Sequence, residues 1–388
     1  MRFSNRMNKV QKSFVREILK VTENKEVISF AGGLPNPRFF PVNEIAEASN
    51  RVLHECGESV LQYSTTEGFR PLREFIANRY YKGLGITADN IIITNGSQQA
   101  LDLIGKVFID AGDQIIIEKP GYLGAIQAFS IFEPNMKAVS LNQDGIDLDE
   151  LKQVIDNKNP KLFYAVTNFQ NPTGITYSSE IRKKLAEMIK ETETILIDDN
   201  PYGELCFENE QVETMASLLG TRMISLGSFS KVFAPAMRLG WICANDEIID
   251  KLVIVKQASD LHTNNFSQRV LYQYLLSNSL DEHITHICKA YKEQKDYMLS
   301  WLDKELPEGI EVTRPTGGMF LWITLPEGKS SVKLFNIAAS KNVAFVPGIP
   351  FYINYKDINT LRMNFTNSSF ENIERGIKLF AGSIKEIL

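Results

Sequence analysis

The stretch SLGSFSKVFAPAMRLGW, residues 225–241, decides how the rest of the chain is read. An apolar run, Met223–Leu226, leads into it with the character of a buried strand. Two small hydroxyl residues, Ser228 and Ser230, then precede Lys231, and Arg238 follows before a Gly-Trp pair closes the segment. An amine that is to attack a carbonyl needs a neutral fraction, which nearby positive charge or a desolvated pocket provides. A phosphorylated ligand beside it needs hydroxyls and an arginine. By itself the string fits a solvated lysine on a surface loop equally well, because short motifs recur by chance. The remainder of the chain separates the two readings.

At 388 residues the chain is too long for one small core, and two or three domains are expected. Hydrophobic content of 44% with 23% charged residues describes an ordinary globular protein. A net charge of −5 without any long Lys/Arg block argues against nucleic acid as a partner. Cys56, Cys206, Cys243 and Cys288 form no CxxC pair, so neither a zinc site nor a disulfide framework is suggested. The polar, basic start MRFSNRMNKVQKSF has no apolar leader, and no stretch reaches the ~20 apolar residues of a membrane span. A cytoplasmic protein that meets no membrane is expected.

Phe14, Val15, Ile18 and Leu19 predict a helix over 11–21, before a breaker-rich turn, FAGGLPNPRFFP (30–41). Helices are predicted over 42–54 and 69–81. Short apolar strands follow: Ile91–Thr94, Gln114–Glu118, Lys161–Val166, Thr194–Asp198, Met223–Leu226 and Gly240–Ala244. Their runs are continuous rather than alternating, as in strands buried on both faces of a parallel sheet. With helical patterns between them, they predict a three-layer α/β/α architecture around a mainly parallel sheet. One long helix is predicted over 267–302. Strands at 318–324, 343–345 and 360–365 mix with helices in a smaller α+β part. The expected division is a large domain, 42–302, and a small discontinuous one, 1–41 with 303–388.

Ligands of open α/β sheets sit at the carboxyl ends of strands, and five such ends carry unusual residues. After Ile91–Thr94, Asn95-Gly96 turns into Ser97 and Gln98 at a helix start, which suits a phosphate and equally suits a plain N-cap. After Gln114–Glu118, Tyr122 follows a Pro-Gly turn, as a stacking ring or a core aromatic. After Lys161–Val166 comes NFQNPTG, where Asn171 is a turn residue or an amide donor to a ligand oxygen. After Thr194–Ile197, DDNPYG places Asp198, Asp199 and Tyr202; buried carboxylates are costly unless paired, and one facing a pyridine nitrogen would keep it protonated. Helix capping is the alternative for the two acids. The fifth end carries Lys231.

A phosphate cradle, a stacking ring, a carboxylate, an oxygen donor and an amine are together what pyridoxal 5′-phosphate requires. The order Ser97-Gln98, Tyr122, NPTG, DxxY, SxSK…R and a late LRMNFT resembles the fold-type I pyridoxal-phosphate aminotransferases of class I/II. It is similar most of all to their α-aminoadipate/kynurenine branch, from about Arg16 to Phe365. The resemblance implies that Lys231 carries the cofactor as a Schiff base and then moves the Cα proton. It further implies that Asp199 pairs with the pyridine nitrogen, that Asn171 and Tyr202 hold the ring oxygen, and that Tyr122 stacks on the ring. Ser97, Gln98, Ser228, Ser230 and Arg238 would hold the phosphate, and Arg362 the substrate α-carboxylate. Tyr63, in LQYSTTEG, would reach the cofactor phosphate of a second subunit, making a homodimer with shared active sites. Gly33, beside Gly32, lets the arm approach substrate closely. Arg16 either reads an acidic side chain of the substrate or is a solvated helix-face charge.

The implied reaction is two-step ping-pong transamination of an L-amino acid (2-aminoadipate, glutamate, aromatic or branched-chain), with 2-oxoglutarate/glutamate as one partner. A β-lyase or decarboxylase would use the same electron sink. A cofactor-sensing regulator would need a DNA-binding domain, and only about 30 residues precede Phe30. His283 and His286 lack a third ligand and are read as structural; His262 follows Asp260 in a loop-like stretch and is expected near the site.

Overall fold

Three consecutive isoleucines, Ile115, Ile116 and Ile117, show why the continuous apolar runs form strands. Ile115 and Ile117 face one hydrophobic layer while Ile116 faces another, and Leu162, Phe163 and Tyr164 divide the same way. Successive strand side chains point to opposite faces, so a strand covered on both sides must be apolar throughout. The computed structural model, which describes residues 1–8, 18, 24, 26–208, 213–353 and 359–388, joins eight strands in one sheet. Their order is Ile91–Thr94, Gly240–Cys243, Ile224–Ser228, Ile195–Asp199, Leu162–Ala165, Gln114–Lys119, Asn135–Asn142 and Gly145–Ile146. Gly240–Cys243 runs antiparallel to both neighbours, and Gly145–Ile146 is antiparallel to Asn135–Asn142. The other pairings are parallel. Six strands therefore share one direction and release their carboxyl ends along one rim.

One face of this sheet is covered by helices that include Ser97–Phe108 and Leu123–Ser130, the other by Leu148–Lys158 and Ser179–Lys190. The chain is thus α/β, in three layers, as predicted. A second, four-stranded antiparallel sheet orders Glu311–Val312, Phe320–Thr324, Thr360–Asn364 and Val346–Pro347. The N-terminal strand Ile28–Ser29 pairs in parallel with Val343–Ala344, which ties the arm to the C-terminal third. Phe30 packs where a side chain on Gly376 of the helix Phe370–Ile384 would collide with it.

Two predicted elements differ, and one strand was not predicted. The helix predicted over 267–302 is two, Asn265–Ser277 and Leu280–Glu305. The Ser279 hydroxyl accepts from Glu282 N at 3.2 Å and starts the second, an N-cap that apolar periodicity does not reveal. The strand Asn135–Asn142 lies toward the sheet edge with only Val139 fully buried, so it lacks the continuous apolar run of its neighbours. The strand predicted over 343–345 is only Val343–Ala344, which joins the arm, and a separate strand, Val346–Pro347, follows in the four-stranded sheet. Of the helix predicted over 11–21, only Ile18 lies within the described residues, and it is buried. Among the described residues no helix is long and apolar enough to cross a membrane.

Candidate active site

The rim of strand ends and the second sheet enclose a cavity of about 400 Å³. Asp199 ends its strand there, Ser228 ends the next, and Ser230 and Lys231 follow directly. Ser97 and Gln98 open the helix Ser97–Phe108, and Tyr122 immediately precedes the helix Leu123–Ser130. Asn171 reaches the cavity from the loop after Leu162–Ala165, Tyr202 from the loop that follows Asp199, and Arg238 from the turn beyond Lys231. Arg362, mid-strand in the second sheet, and Gly33 of the arm complete the lining.

Lys231 Nζ donates to the Gly33 carbonyl at 2.8 Å. Burial first, then the cations Arg362 and Arg238, lower its pKa from 10.5 to about 8. About a tenth of the amine is therefore uncharged at pH 7, far more than for a solvated lysine, and a nucleophile requires that neutral form.

Asp199 is buried, and Tyr164 donates its hydroxyl to Oδ2 at 2.8 Å. Oδ1 has no hydrogen-bond partner. Burial raises this carboxyl to about 7, with the Tyr164 bond pulling the other way, Asp198 adding to the rise and the nearby Ser97 hydroxyl, which makes no well-formed bond to it, lowering it slightly. Unpartnered buried acceptors cost stability, so their presence points to a ligand donor. Neither acid caps a helix; Asp198 instead accepts from the Thr167 hydroxyl at 2.8 Å.

Arg362 is buried between Phe320, 4.3 Å from its guanidinium carbon, and Phe351 at 5.2 Å. Its Nη1 donates to Asn171 Oδ1 and its Nη2 to the Ala31 carbonyl, both at 2.7 Å, while Nε has no partner. Burial brings it down to about 10, still a cation at neutral pH. Asn171 Nδ2 donates to the Tyr202 hydroxyl at 3.3 Å, linking the three side chains. Burial pushes the phenols of Tyr202 and Tyr122 up, the latter to about 12, so both stay protonated donors.

At the opposite end, Gly96 takes φ +76°, and a Cβ there would stand 2.5 Å from Arg238 Nη2. Arg238 is itself left-handed, φ +54°, and donates to the Asn95 carbonyl at 3.0 Å. The Ser97 hydroxyl is buried without a partner, and Ser228 Oγ accepts from Ser230 N at 3.1 Å. Hydroxyls, a guanidinium and a helix N-terminus converge, the combination that suits a phosphate.

One residue stands apart. Tyr63 is 78% exposed and outside the cavity, its ring edge-on to His262 at 5.9 Å. The reading of Arg16 falls outside the described residues. His262 accepts from Ser64 N at 3.2 Å and does not line the cavity. His286 packs against Phe39 and His283 against Tyr274. Sequence reasoning missed Tyr164 and Gln127, both in the lining. A hydroxyl inside the otherwise apolar strand Leu162–Ala165 was the available signal for Tyr164.

The model of the family described as aminotransferase class I and II matches residues 26–380. The chain belongs to this family. The enzyme is 43% identical to an aromatic-amino-acid aminotransferase of Thermococcus litoralis, over 99% of this chain and 94% of that one. It is 41% identical to the 2-aminoadipate transaminase of Thermus thermophilus, over 100% and 97%. The crystal structure of the Thermus thermophilus α-aminoadipate aminotransferase, complexed with N-(5′-phosphopyridoxyl)-L-leucine, superimposes with a TM-score of 0.93 at 40% identity, covering 99% of this chain and 97% of that one. This aminotransferase uses pyridoxal 5′-phosphate, and the cavity fits it. Asp199 Oδ1 lacks the donor that a protonated ring nitrogen supplies. The cradle beside Gly96 closes with any side chain there and leaves Ser97 Oγ free to donate.

Proposed function

We propose that this aminotransferase exchanges the amino group of 2-aminoadipate, glutamate, aromatic or branched-chain amino acids with a 2-oxo acid, 2-oxoglutarate above all, in two half-reactions. One observation carries the reading. Lys231 and Arg362 enter the same cavity, tied to the carbonyls of Gly33 and Ala31, two residues of one arm. An amine-reactive end and a carboxylate-binding end are thereby held in register, as an α-amino acid demands. Relatives named for 2-aminoadipate and for aromatic amino acids support the donor range.

When bound, the cofactor supplies an aldehyde and a ring that accepts the electrons left at the substrate Cα. Asp199, ionised, holds a proton on the ring nitrogen. Asn171 and Tyr202 direct N–H and O–H donors to the ring oxygen, and Tyr122 covers the ring face. Ser97, Gln98, Ser228, Ser230 and Arg238 hold the phosphate. Arg362 grips the α-carboxylate, using the Nε that has no partner within the chain. Lys231 Nζ would act as the base that takes the proton from the substrate Cα and holds it for return.

The reading includes a homodimer. Tyr63 stands exposed beside exposed Leu61 and near Leu261, a surface suited to reach a second copy's phosphate. We also assign the chain to a 42–302 domain and a smaller one, 1–41 with 303–388, a division supported by the arm's pairing with Val343–Ala344. Four free cysteines agree with a reducing cytoplasm. The test is a panel of amino acids with 2-oxoglutarate, following glutamate and the new oxo acid. Parallel double-reciprocal lines are expected. Release of ammonia or carbon dioxide without amino transfer would overturn the reading.

A further inference from the structure

Directly behind the Asn95-Gly96-Ser97 turn lies an ion pair that touches no part of the cavity. Lys256, in the helix Asp246–Asp260, has a side chain with 0% exposure. Withdrawing an ammonium from water costs several kcal/mol, so such a lysine persists only where it is fully paired. Here Nζ donates to both Asp260 oxygens at 3.0 and 3.1 Å, to Gln99 Oε1 at 3.1 Å and to Thr263 Oγ1 at 3.0 Å.

The same acceptors hold Asn95. Asp260 Oδ2 accepts from Asn95 Nδ2 at 2.7 Å and from Gln99 Nε2 at 2.6 Å, and Gln99 Oε1 accepts the Asn95 backbone N–H at 2.8 Å. Thr263 Oγ1 donates to the carbonyl of Ile93, pinning the strand end just before. In front, the Asn95 carbonyl receives Arg238 Nη2. Asn95 thus links the buried pair on one side to the cation of the cradle on the other. Gly96, next in the chain, has φ +76° and no side chain to limit its freedom.

We infer that the Lys256–Asp260 pair is a positioning device for the cofactor phosphate. By clamping Asn95 it sets the turn from which the Ser97 and Gln98 amides and the Arg238 guanidinium meet the anion. Its inference rests on the reading of those residues as the phosphate cradle. Neither Lys256 nor Asp260 touches the phosphate; both act through Asn95. Three donors and acceptors fixed from behind spare the site the ordering cost that a loose glycine turn would impose on binding.

A general structural role would weaken every ligand alike, whereas a phosphate-positioning role is selective. The test compares pyridoxal 5′-phosphate with pyridoxal, which differ in the phosphate and in the internal hemiacetal that the free 5′-hydroxyl of pyridoxal forms, a cost common to wild type and variants that cancels between them. Dissociation constants of both are measured by equilibrium titration of apoprotein from wild type, Lys256→Met and Lys256→Met/Asp260→Asn. Outer partners of metal ligands typically contribute roughly 10–100-fold to affinity, and a clamp on a phosphate-holding turn is taken at the same scale. The expected result is a loss of that size for the phosphorylated vitamer, with pyridoxal nearly unchanged. An equal loss for both compounds, or none for either, overturns the inference. If Lys256→Met does not yield folded protein, Asn95→Ala, which removes the amide that Asp260 holds and leaves the ion pair in place, is read by the same ratio and must show a selective loss for the phosphorylated vitamer. Wild-type protein that binds both vitamers equally would instead sink the cradle reading, and no variant is needed to see it.

Discussion

Replacing Tyr164 by phenylalanine isolates one hydrogen bond at Asp199, the carboxylate proposed to meet the cofactor ring. Tyr164 is 1% exposed and its hydroxyl donates to Asp199 Oδ2 at 2.8 Å, so Tyr164→Phe removes one oxygen and keeps the packing. A hydrogen bond to a charged group contributes about 1.5–3 kcal/mol, which at 1.36 kcal/mol per decade is roughly 10–150-fold. The sign follows from which form the bond favours. Tyr164 donates to the ionised carboxylate and holds it below where burial alone would place it. Burial has already raised Asp199 to about 7, so losing the donor leaves it largely protonated at neutral pH. A protonated Asp199 cannot keep a proton on the ring nitrogen by charge. The assay is binding of pyridoxamine 5′-phosphate to apoprotein from pH 6 to 9.5, since that vitamer makes no bond to Lys231. The second ionisation of its phosphate, near 6, is common to both proteins and cancels. Tyr164→Phe should bind roughly 10–150-fold more weakly at pH 7, with its affinity curve displaced toward higher pH by about one to two units. Superimposed curves would refute the assignment of Asp199 as the charge that the ring nitrogen meets.

Arg362→Leu should raise KM for amino acid and oxo acid together by roughly 10–150-fold, the contribution of charge-assisted bonds to a carboxylate, with a smaller change in kcat. Steady-state kinetics on both half-reactions check this, and an unchanged KM for either substrate counts against it. The pKa of Lys231, lowered to about 8 from 10.5, makes the folded apoprotein bind fewer protons than the unfolded chain between those values. Stability therefore rises with pH through that window. Melting temperatures from pH 7.5 to 10.5 should show the rise in wild type and a flatter profile in Lys231→Met. Tyr63→Phe and Lys231→Ala should each be weak alone. If the active sites are shared, equal mixing with subunit exchange should restore about a quarter of wild-type activity, since half the dimers are hybrids with one intact site each. No recovery after exchange would place Tyr63 outside the neighbouring site.

What the primary structure disclosed and what it hid differ by a physical distinction. A strand buried on both faces must be apolar along its whole length, so Ile91–Thr94 and Ile195–Asp199 announce themselves, and the polar residues at their ends stand out by contrast. That contrast marked Ser97, Asp199 and Lys231 without any knowledge of which elements meet. Asn135–Asn142, toward the sheet edge, has no such requirement on its composition and left no comparable trace. Tyr164 was hidden for the opposite reason: its ring satisfies the apolar rule, and only the partner 35 residues on reveals what its hydroxyl does. The Lys256–Asp260 pair was harder still, because an i,i+4 Lys/Asp spacing on a helix reads as an exposed surface pair. Only the tertiary structure shows that this lysine faces Gln99 and Thr263 rather than water. Residues whose chemistry is spent on ligand lie at strand ends, where local pattern betrays them. Residues that hold those in place spend their chemistry on other side chains far along the chain, and their roles emerge only when the chain has folded.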